Sequence, residues 1–286
     1  MKKQHVFVIL LLWAALTAFA WFSPAKEMSD SERRPLAQMP SVTLASIADG
    51  KFMKDFESYS LDQFPMRDGF RTVKSLFHQY VLGQKDNNGI YLHDGYAAKQ
   101  ETRLNVDSVS HALERFNHIH DKYLEESKVY MAIVPDKGYY LAEKAGQLSL
   151  DYEALFDLVE TGMPWAQHID LTDSLSLTDY YRTDTHWRQE NLFAAAQTIC
   201  DALGVNAPER IRATVLDRPF YGVYYGQAAL PMEPDALAIL ELDYLSDCKV
   251  YDHETGKITS AYDMTKLDSR DLYDVYLSGA RALLTI

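Results

Sequence analysis

Six consecutive residues, Val129-Tyr130-Met131-Ala132-Ile133-Val134, carry no charge and run into Pro135. A strand with one wet face alternates apolar and polar side chains, so a wholly apolar run of this length reads as a strand covered on both faces. Before it, Val106, Val109, Leu113, Phe116, Ile119 and Tyr123 recur at three- and four-residue steps, which predicts a long helix with Asn105 at its N-cap. A helix feeding a doubly covered strand is the pattern of a parallel sheet. The pattern recurs, with a helix expected over 151–160 and a strand over 166–171. Leu192, Ala195, Ala196, Ile199 and Leu203 then line one face of a helix predicted from Trp187 to Leu203, which Gly204 ends. After it the signals are of strands and hairpins: Gly222 to Tyr225, Ile239 to Tyr244, and Lys249 to Ala261 around Glu254-Thr255-Gly256. The expected class is α/β, a mainly parallel sheet flanked by helices with added β-hairpins.

The N-terminal part is of a different kind. Lys2 and Lys3 precede Val6 to Phe22, a stretch without a charge. Positive residues before an apolar run stay in the cytoplasm, so the body is expected outside it. Ala18-Phe19-Ala20 fits the small-x-small pattern of a removed signal peptide, while the run is also long enough for a single span of about 18–20 residues. Residues 1–25 are therefore a signal peptide or signal anchor, and the body is secreted or membrane-anchored. Residues 26–45 read as a linker, with Pro35 and Pro40 and little periodicity. Phe52, Phe56 and Tyr59 mark one helix, and Phe70, Val73, Phe77, Tyr80 and Val81 a second that Gly83 stops. Asn87-Asn88-Gly89 and His93-Asp94-Gly95 bracket a short strand, Ile90-Tyr91-Leu92.

A net charge of −13 argues against nucleic acid, which needs basic patches, and against anionic lipid surfaces. The 19 tyrosines fit a surface that stacks on sugars, or rings half-buried at sheet edges. Cys200 and Cys248 would pair in an oxidising compartment or stay as buried thiols. No Cys-x-x-Cys is present, and His118 and His120 point about 200° apart on a helix, so no metal site is expected. No glycine-rich phosphate loop is visible, and no cofactor is implied.

One polar segment carries chemistry, Tyr180-Tyr181-Arg182-Thr183-Asp184-Thr185-His186-Trp187. Alternate residues of an extended segment point the same way, which puts Asp184 and His186 on one face. A carboxylate beside a histidine fixes its tautomer and frees the other nitrogen to take a proton. A structural Asp–His pair, or a helix cap by Asp184, fits the same spacing.

Tyr181 to Trp187 resembles the Asp-x-His-Trp signature of the DHHW proteins and of their relatives, the SGNH-hydrolase-like domains of the alginate O-acetyltransferase family. Phe64-Pro65-Met66-Arg67-Asp68 is similar to that family's Phe-Pro-x-Arg-Asp helix, and Asn87-Asn88-Gly89-Ile90-Tyr91 to its early strand. Val134-Pro135-Asp136-Lys137 resembles its Val-Pro-x-Lys strand end, and Phe220 to Gly226 the segment after its histidine helix. The order agrees over roughly residues 45 to 286.

The resemblance implies an SGNH-like domain over 46–286. It implies a Ser-His-Asp O-acetyltransferase or esterase acting outside the cytoplasm on cell-surface polysaccharide, beside a membrane-bound O-acyltransferase. Asp184 would be the acid of the triad and His186 its base, with Trp187 packed behind them. Lys137 would lie near the pocket and, with Tyr225, is a candidate for substrate binding. One departure stands out. The family's nucleophile follows a core strand in an Asp-Ser pair downstream of the histidine, and here the chain reaches Leu283-Leu284-Thr285-Ile286 first. Asp30-Ser31, Asp107-Ser108, Asp173-Ser174 and Asp268-Ser269 do not follow apolar strands. The expectation is a domain incomplete at its C-terminus and without its nucleophile. The alternative is a non-catalytic, surface-tethered module that binds glycan or a partner in acetylation.

Overall fold

The structure, a computed structural model, describes residues 3–207, 212–242, 245 and 247–286. It divides into two compact units, residues 1–83 and 84–286.

The first unit opens with α1 (Lys3–Phe22), whose residues are all at least partly exposed. Residues 26–45 include a two-residue ladder, β1 (Met28–Ser29) against β2 (Arg34–Pro35), and the start of α2 (Leu44–Ala48). Next come α3 (Lys51–Asp62) and α4 (Arg67–Leu76), which continues as a π-helical turn over Phe77–Val81. The break between them is the Phe-Pro-x-Arg-Asp segment, with Met66 in the left-handed region at φ 55°. Charge ties this corner to the ladder. Asp62 accepts from both Nη atoms of Arg34 at 2.8 and 2.7 Å and from the Ala37 N–H at 2.9 Å. Glu32 meets Arg34, Arg67 and Arg71 at 3.1, 2.6 and 3.1 Å.

The second unit begins with the hairpin β3 (Ile90–His93) and β4 (Tyr96–Lys99). Its turn residues Asp94 and Gly95 both have positive φ, which matches the twist of a tight hairpin. Helix α5 (Val106–Ile119) is capped by the Asn105 side chain as expected and extends as a π turn through His120–Leu124. It leads to β5 (Tyr130–Ala132), then α6 (Lys137–Leu141) and α7 (Tyr152–Gly162). Strand β6 (Gln167–Ile169) pairs with β5 in parallel, as the repeated helix–strand pattern predicts. Helix α8 (Phe193–Leu203) follows and ends at Gly204 with φ 70°.

Four expectations need correction. The sheet is not mainly parallel: among the described residues parallel pairing is confined to β5–β6. The antiparallel remainder comprises β3–β4, β7 (Arg212–Phe220) with β8 (Asp235–Glu241), and β9 (Lys249–Asp252) between β10 (Ile258–Ser260) and β11 (Leu284–Thr285). Apolar content marks β5 as covered but says nothing about the direction of the later strands, which are joined locally. Helix α8 starts at Phe193 and not at Trp187, because Trp187 is held in a bridge to Tyr180 and a 3-10 turn at Gln189–Asn191 intervenes. Gly222 to Tyr225 is not a strand: α9 spans Val223–Ala228. The strand expected over Ile239 to Tyr244 is β8, shifted towards the N-terminus, and Tyr244 lies outside the described residues.

The core of this unit is a chain of clusters. Val159, Met163 and Ala166 pack with α5 and β5 residues. Ile169, Leu171, Leu175 and Ala195 gather Trp187 and Leu192, and Tyr91, Ala98, Leu141 and Ala142 join the hairpin to α6. Tyr181, Leu216, Phe220, Leu237 and Val275 join the loop before α8 to β7, β8 and the C-terminal segment. Cys200 and Cys248 are both free and half-buried. His120 is stacked on Trp165, with ring centres 4.1 Å apart.

Candidate functional site

The loop from Tyr180 to Trp187 doubles back on itself. Tyr180 and Trp187 form an antiparallel bridge, and the Tyr181 N–H donates to the His186 carbonyl at 3.1 Å. The residues between form a tight loop whose middle residues, Thr183 and Asp184, are buried, at 0% and 1% exposure. Burying two polar side chains demands partners for each polar atom.

Those partners come from four directions. Asp235, the first residue of β8, accepts the Arg182 N–H at 2.8 Å through Oδ1, and the Thr183 N–H and hydroxyl at 2.8 and 2.6 Å through Oδ2. The Gly222 N–H donates to Thr183 Oγ1 at 2.8 Å, and the Val223 N–H to Asp184 Oδ2 at 2.9 Å. The Tyr224 and Tyr225 N–H groups both donate to the Thr183 carbonyl, at 3.0 and 3.2 Å. The first turn of α9 thus spends its orphan N–H groups on this loop, which is why the segment is helical. From β4 the Ala97 N–H donates to the Arg182 carbonyl at 2.8 Å. From α6 the Lys137 ammonium donates to the Tyr181 and Arg182 carbonyls at 2.8 and 3.3 Å and lies 4.9 Å from the centre of the Tyr224 ring.

Gly222 is required by the close approach of α9. A Cβ there would stand 2.2 Å from the Asp184 Cβ and 2.5 Å from its Cα. No side chain fits between them.

The loop joins Asp184 to His186 as their spacing predicts. Asp184 Oδ1 accepts the His186 backbone N–H at 3.0 Å and lies 2.5 Å from His186 Nδ1. Burial raises the Asp184 pKa, but hydrogen bonds from the His186 ring and from the Val223 and His186 N–H groups outweigh it and hold it at about 2. A carboxylate this acidic keeps its charge and takes the proton on Nδ1 as a donor, which leaves Nε2 as the basic nitrogen. The His186 side chain is 47% exposed. One face of the ring is covered by Tyr273, with centres 4.0 Å apart and planes 15° apart. Among the described residues, no hydroxyl hydrogen-bonds to Nε2.

The two expected substrate contacts fare differently. Lys137 is 2% exposed, and its ammonium is turned to the loop carbonyls. Burial lowers its pKa to about 7 against the pull of Asp184, Asp235 and Asp136. Tyr225 is half-buried, and its ring lies 4.6 Å from that of the exposed Tyr221. Trp187 packs behind the loop, in the cluster of Ile169, Leu171 and Ala195. The Ser269 hydroxyl donates to the Asp271 carbonyl at 2.7 Å, and the Ser174 hydroxyl to the Leu171 carbonyl at 3.0 Å. Asp235, Gly222 and Tyr273 were not visible as site residues in the sequence. Only the glycine leaves a trace, as the residue ahead of a short tyrosine-rich segment.

No family model and no curated protein sequence matches this chain. Solved structures do match, with TM-scores just above 0.5. A DHHW family protein from Eubacterium siraeum DSM 15702 is similar at a TM-score of 0.53 and 17% identity, over 68% of this chain and 70% of that one. PatB1 of Bacillus cereus is similar at 0.52 and 14% identity, over 65% and 71%. PatB1 with a sulfonyl adduct is similar at 0.52 and 13% identity, over 67% and 70%. The chain therefore has an α/β fold shared with a DHHW family protein and PatB1, the resemblance its motifs carry.

Proposed function

We propose that residues 46–286 carry an extracytoplasmic SGNH-like domain related to enzymes of O-acyl transfer or ester hydrolysis on cell-surface polysaccharide. In this reading Asp184 orients His186 and His186 acts as general base. The observation that carries it is the 2.5 Å contact between a buried carboxylate and a half-exposed imidazole. Acyl transfer starts when a hydroxyl loses its proton as it attacks a carbonyl carbon, and a base on the leaving side then returns a proton. In this reading Nε2 would take the proton of the attacking hydroxyl, from a sugar or water, and return it to the leaving oxygen. The fold shared with a DHHW family protein and with PatB1, together with the Asp-x-His-Trp resemblance, supports the class of reaction. A membrane-bound O-acyltransferase would fit as the donor-side partner.

A second reading is a tethered module that binds glycan or an acetylation partner without chemistry. It is favoured by the lack, among the described residues, of a hydroxyl on Nε2.

Hydrolysis of 4-methylumbelliferyl acetate separates the two. Under the first reading, His186→Asn and Asp184→Asn each lower kcat/KM by at least about 100-fold. If the unmodified chain gives no turnover above buffer and still retains acetylated polysaccharide, the catalytic reading falls and the binding module stands.

A further inference from the structure

A base that works by geometry needs its ring held in two respects: which nitrogen faces the carboxylate, and how the ring plane is turned. Asp184 settles the first through Nδ1. A single hydrogen bond leaves the plane free to swing about that contact, and the far nitrogen would sweep an arc. The second restraint comes from a distant part of the sequence. The Tyr273 ring lies flat on His186, 4.0 Å away and 15° from parallel.

Tyr273 is itself immobilised. It stands in a 3-10 turn, Leu272–Val275, whose first turn is capped by the Asp271 side chain accepting the Tyr273 N–H at 2.9 Å. Its ring is edge-on to Tyr276 at 4.8 Å and to Tyr181 at 6.2 Å, and tilted against Phe220 at 6.3 Å. Tyr276 donates to the Ala238 carbonyl at 2.7 Å, and Val275 is fully buried. The aromatic floor is thus bolted to β7, β8 and the catalytic loop together. Stacked and edge-to-face pairs at these separations add orientation to what burial alone supplies. Burial also raises the phenol pKa, so the ring stays neutral across the physiological range.

We propose that Tyr273 is a positioning residue for His186: its ring fixes the imidazole plane and so aims Nε2. The proposal rests on the reading of His186 as a functional base, but its first test does not. The test uses the full-length chain in detergent micelles with 13C-labelled histidine, which gives nine histidines to resolve. His186 is assigned by the signal lost in His186→Asn. In the unmodified chain its ring protons lie upfield, shielded by the tyrosine face, and show cross-peaks to Tyr273. Tyr273→Phe keeps both features, because the stacked ring remains. Tyr273→Leu keeps apolar bulk but removes the π face, and the His186 signal moves downfield. The second readout is acetyl-ester turnover. The Leu variant should lose about 10- to 100-fold in kcat with KM within about twofold, and the Phe variant should rescue it.

Absence of the Tyr273–His186 cross-peak in the unmodified chain overturns the proposal, whether or not the Leu variant folds. So does an unmoved His186 signal in a folded Leu variant. If the resonances behave as stated and no form of the protein turns over ester, positioning stands and the catalytic reading of the site fails.

Discussion

Lys137 shows what a buried cation does when the loop it holds matters more than its own charge. Its ammonium is removed from water and faces Asp184, Asp235 and Asp136, yet burial dominates and its pKa falls to about 7. The unfolded lysine, near 10.4, keeps its proton well above that. Between these values the unfolded chain binds more protons than the folded one, so stability from this group rises with pH from about 7 and levels off near 10. The limiting slope is about 1.4 kcal/mol per pH unit. A neutral amine keeps two N–H groups, enough for the Tyr181 and Arg182 carbonyls, so the tether survives deprotonation. Lys137→Met loses both bonds and leaves the Tyr181 carbonyl without this donor, at a cost of about 1–3 kcal/mol near neutrality. The gap in melting temperature between the unmodified chain and Lys137→Met should therefore widen from pH 7 to pH 9. A constant gap across that range would mean that Lys137 stays charged in the fold. The Asp184–His186 pair was legible because both residues lie within three positions and alternate along one segment. The sequence placed Lys137 at a strand end but could not show its burial. That depends on the Tyr181 and Arg182 carbonyls, which a loop far along the chain brings to it.

At the scale of elements, α9 is the piece that sequence pattern misassigned. Gly-Val-Tyr-Tyr is β-branched and aromatic, the composition of strands, and its local preference is overridden by where its N–H groups go. Four consecutive amides, Gly222 to Tyr225, point at Thr183 and Asp184, and only a helical first turn aims them together. Contact this close leaves no room for a Cβ at Gly222. Its φ is −76°, an angle any residue adopts, so the cost of substitution is steric and not conformational. Gly222→Ala should push Asp184 and α9 apart and destabilise by about 1–3 kcal/mol. Ester turnover should fall with it, since the carboxylate that holds His186 is what moves. Gly69 in α4 is the control: nothing lies within 4 Å of its added Cβ, and Gly69→Ala should be neutral or stabilising by up to ~1 kcal/mol. Thermal melts of the two variants side by side make the check, and equal losses would deny the close approach any special role. The helices α3, α5 and α7 and the strand β3 with its two flanking turns were readable for the opposite reason: periodicity and turn residues there agree with the final packing; the partner strand β4 was not foreseen.

For the whole molecule, the contrast between α1 and the rest of the chain carries the argument. Twenty residues at 1.5 Å each span about 30 Å, the thickness of a bilayer's hydrocarbon core. No residue of α1 is buried within the protein, and Val6 to Phe22 carries no charge, so most of its apolar surface is left to water. A membrane would shield it. The net charge of −13 works the other way: taken as a whole, the chain is repelled by anionic headgroups. With α1 retained as a signal anchor, attachment would rest on that helix. The full-length chain is expected in the membrane pellet after a carbonate wash, with the body cleaved by protease added outside the cell. Deleting Lys3–Phe22 in protein made without export, and mixed with vesicles containing phosphatidylglycerol, should leave the body in the supernatant at both low and high salt. Retention at low salt that disappears at high salt would reveal a basic surface that the net charge conceals. Retention at both would mean that a second apolar surface, such as the exposed Phe70, Val73 and Phe77 on and just after α4, also enters the bilayer.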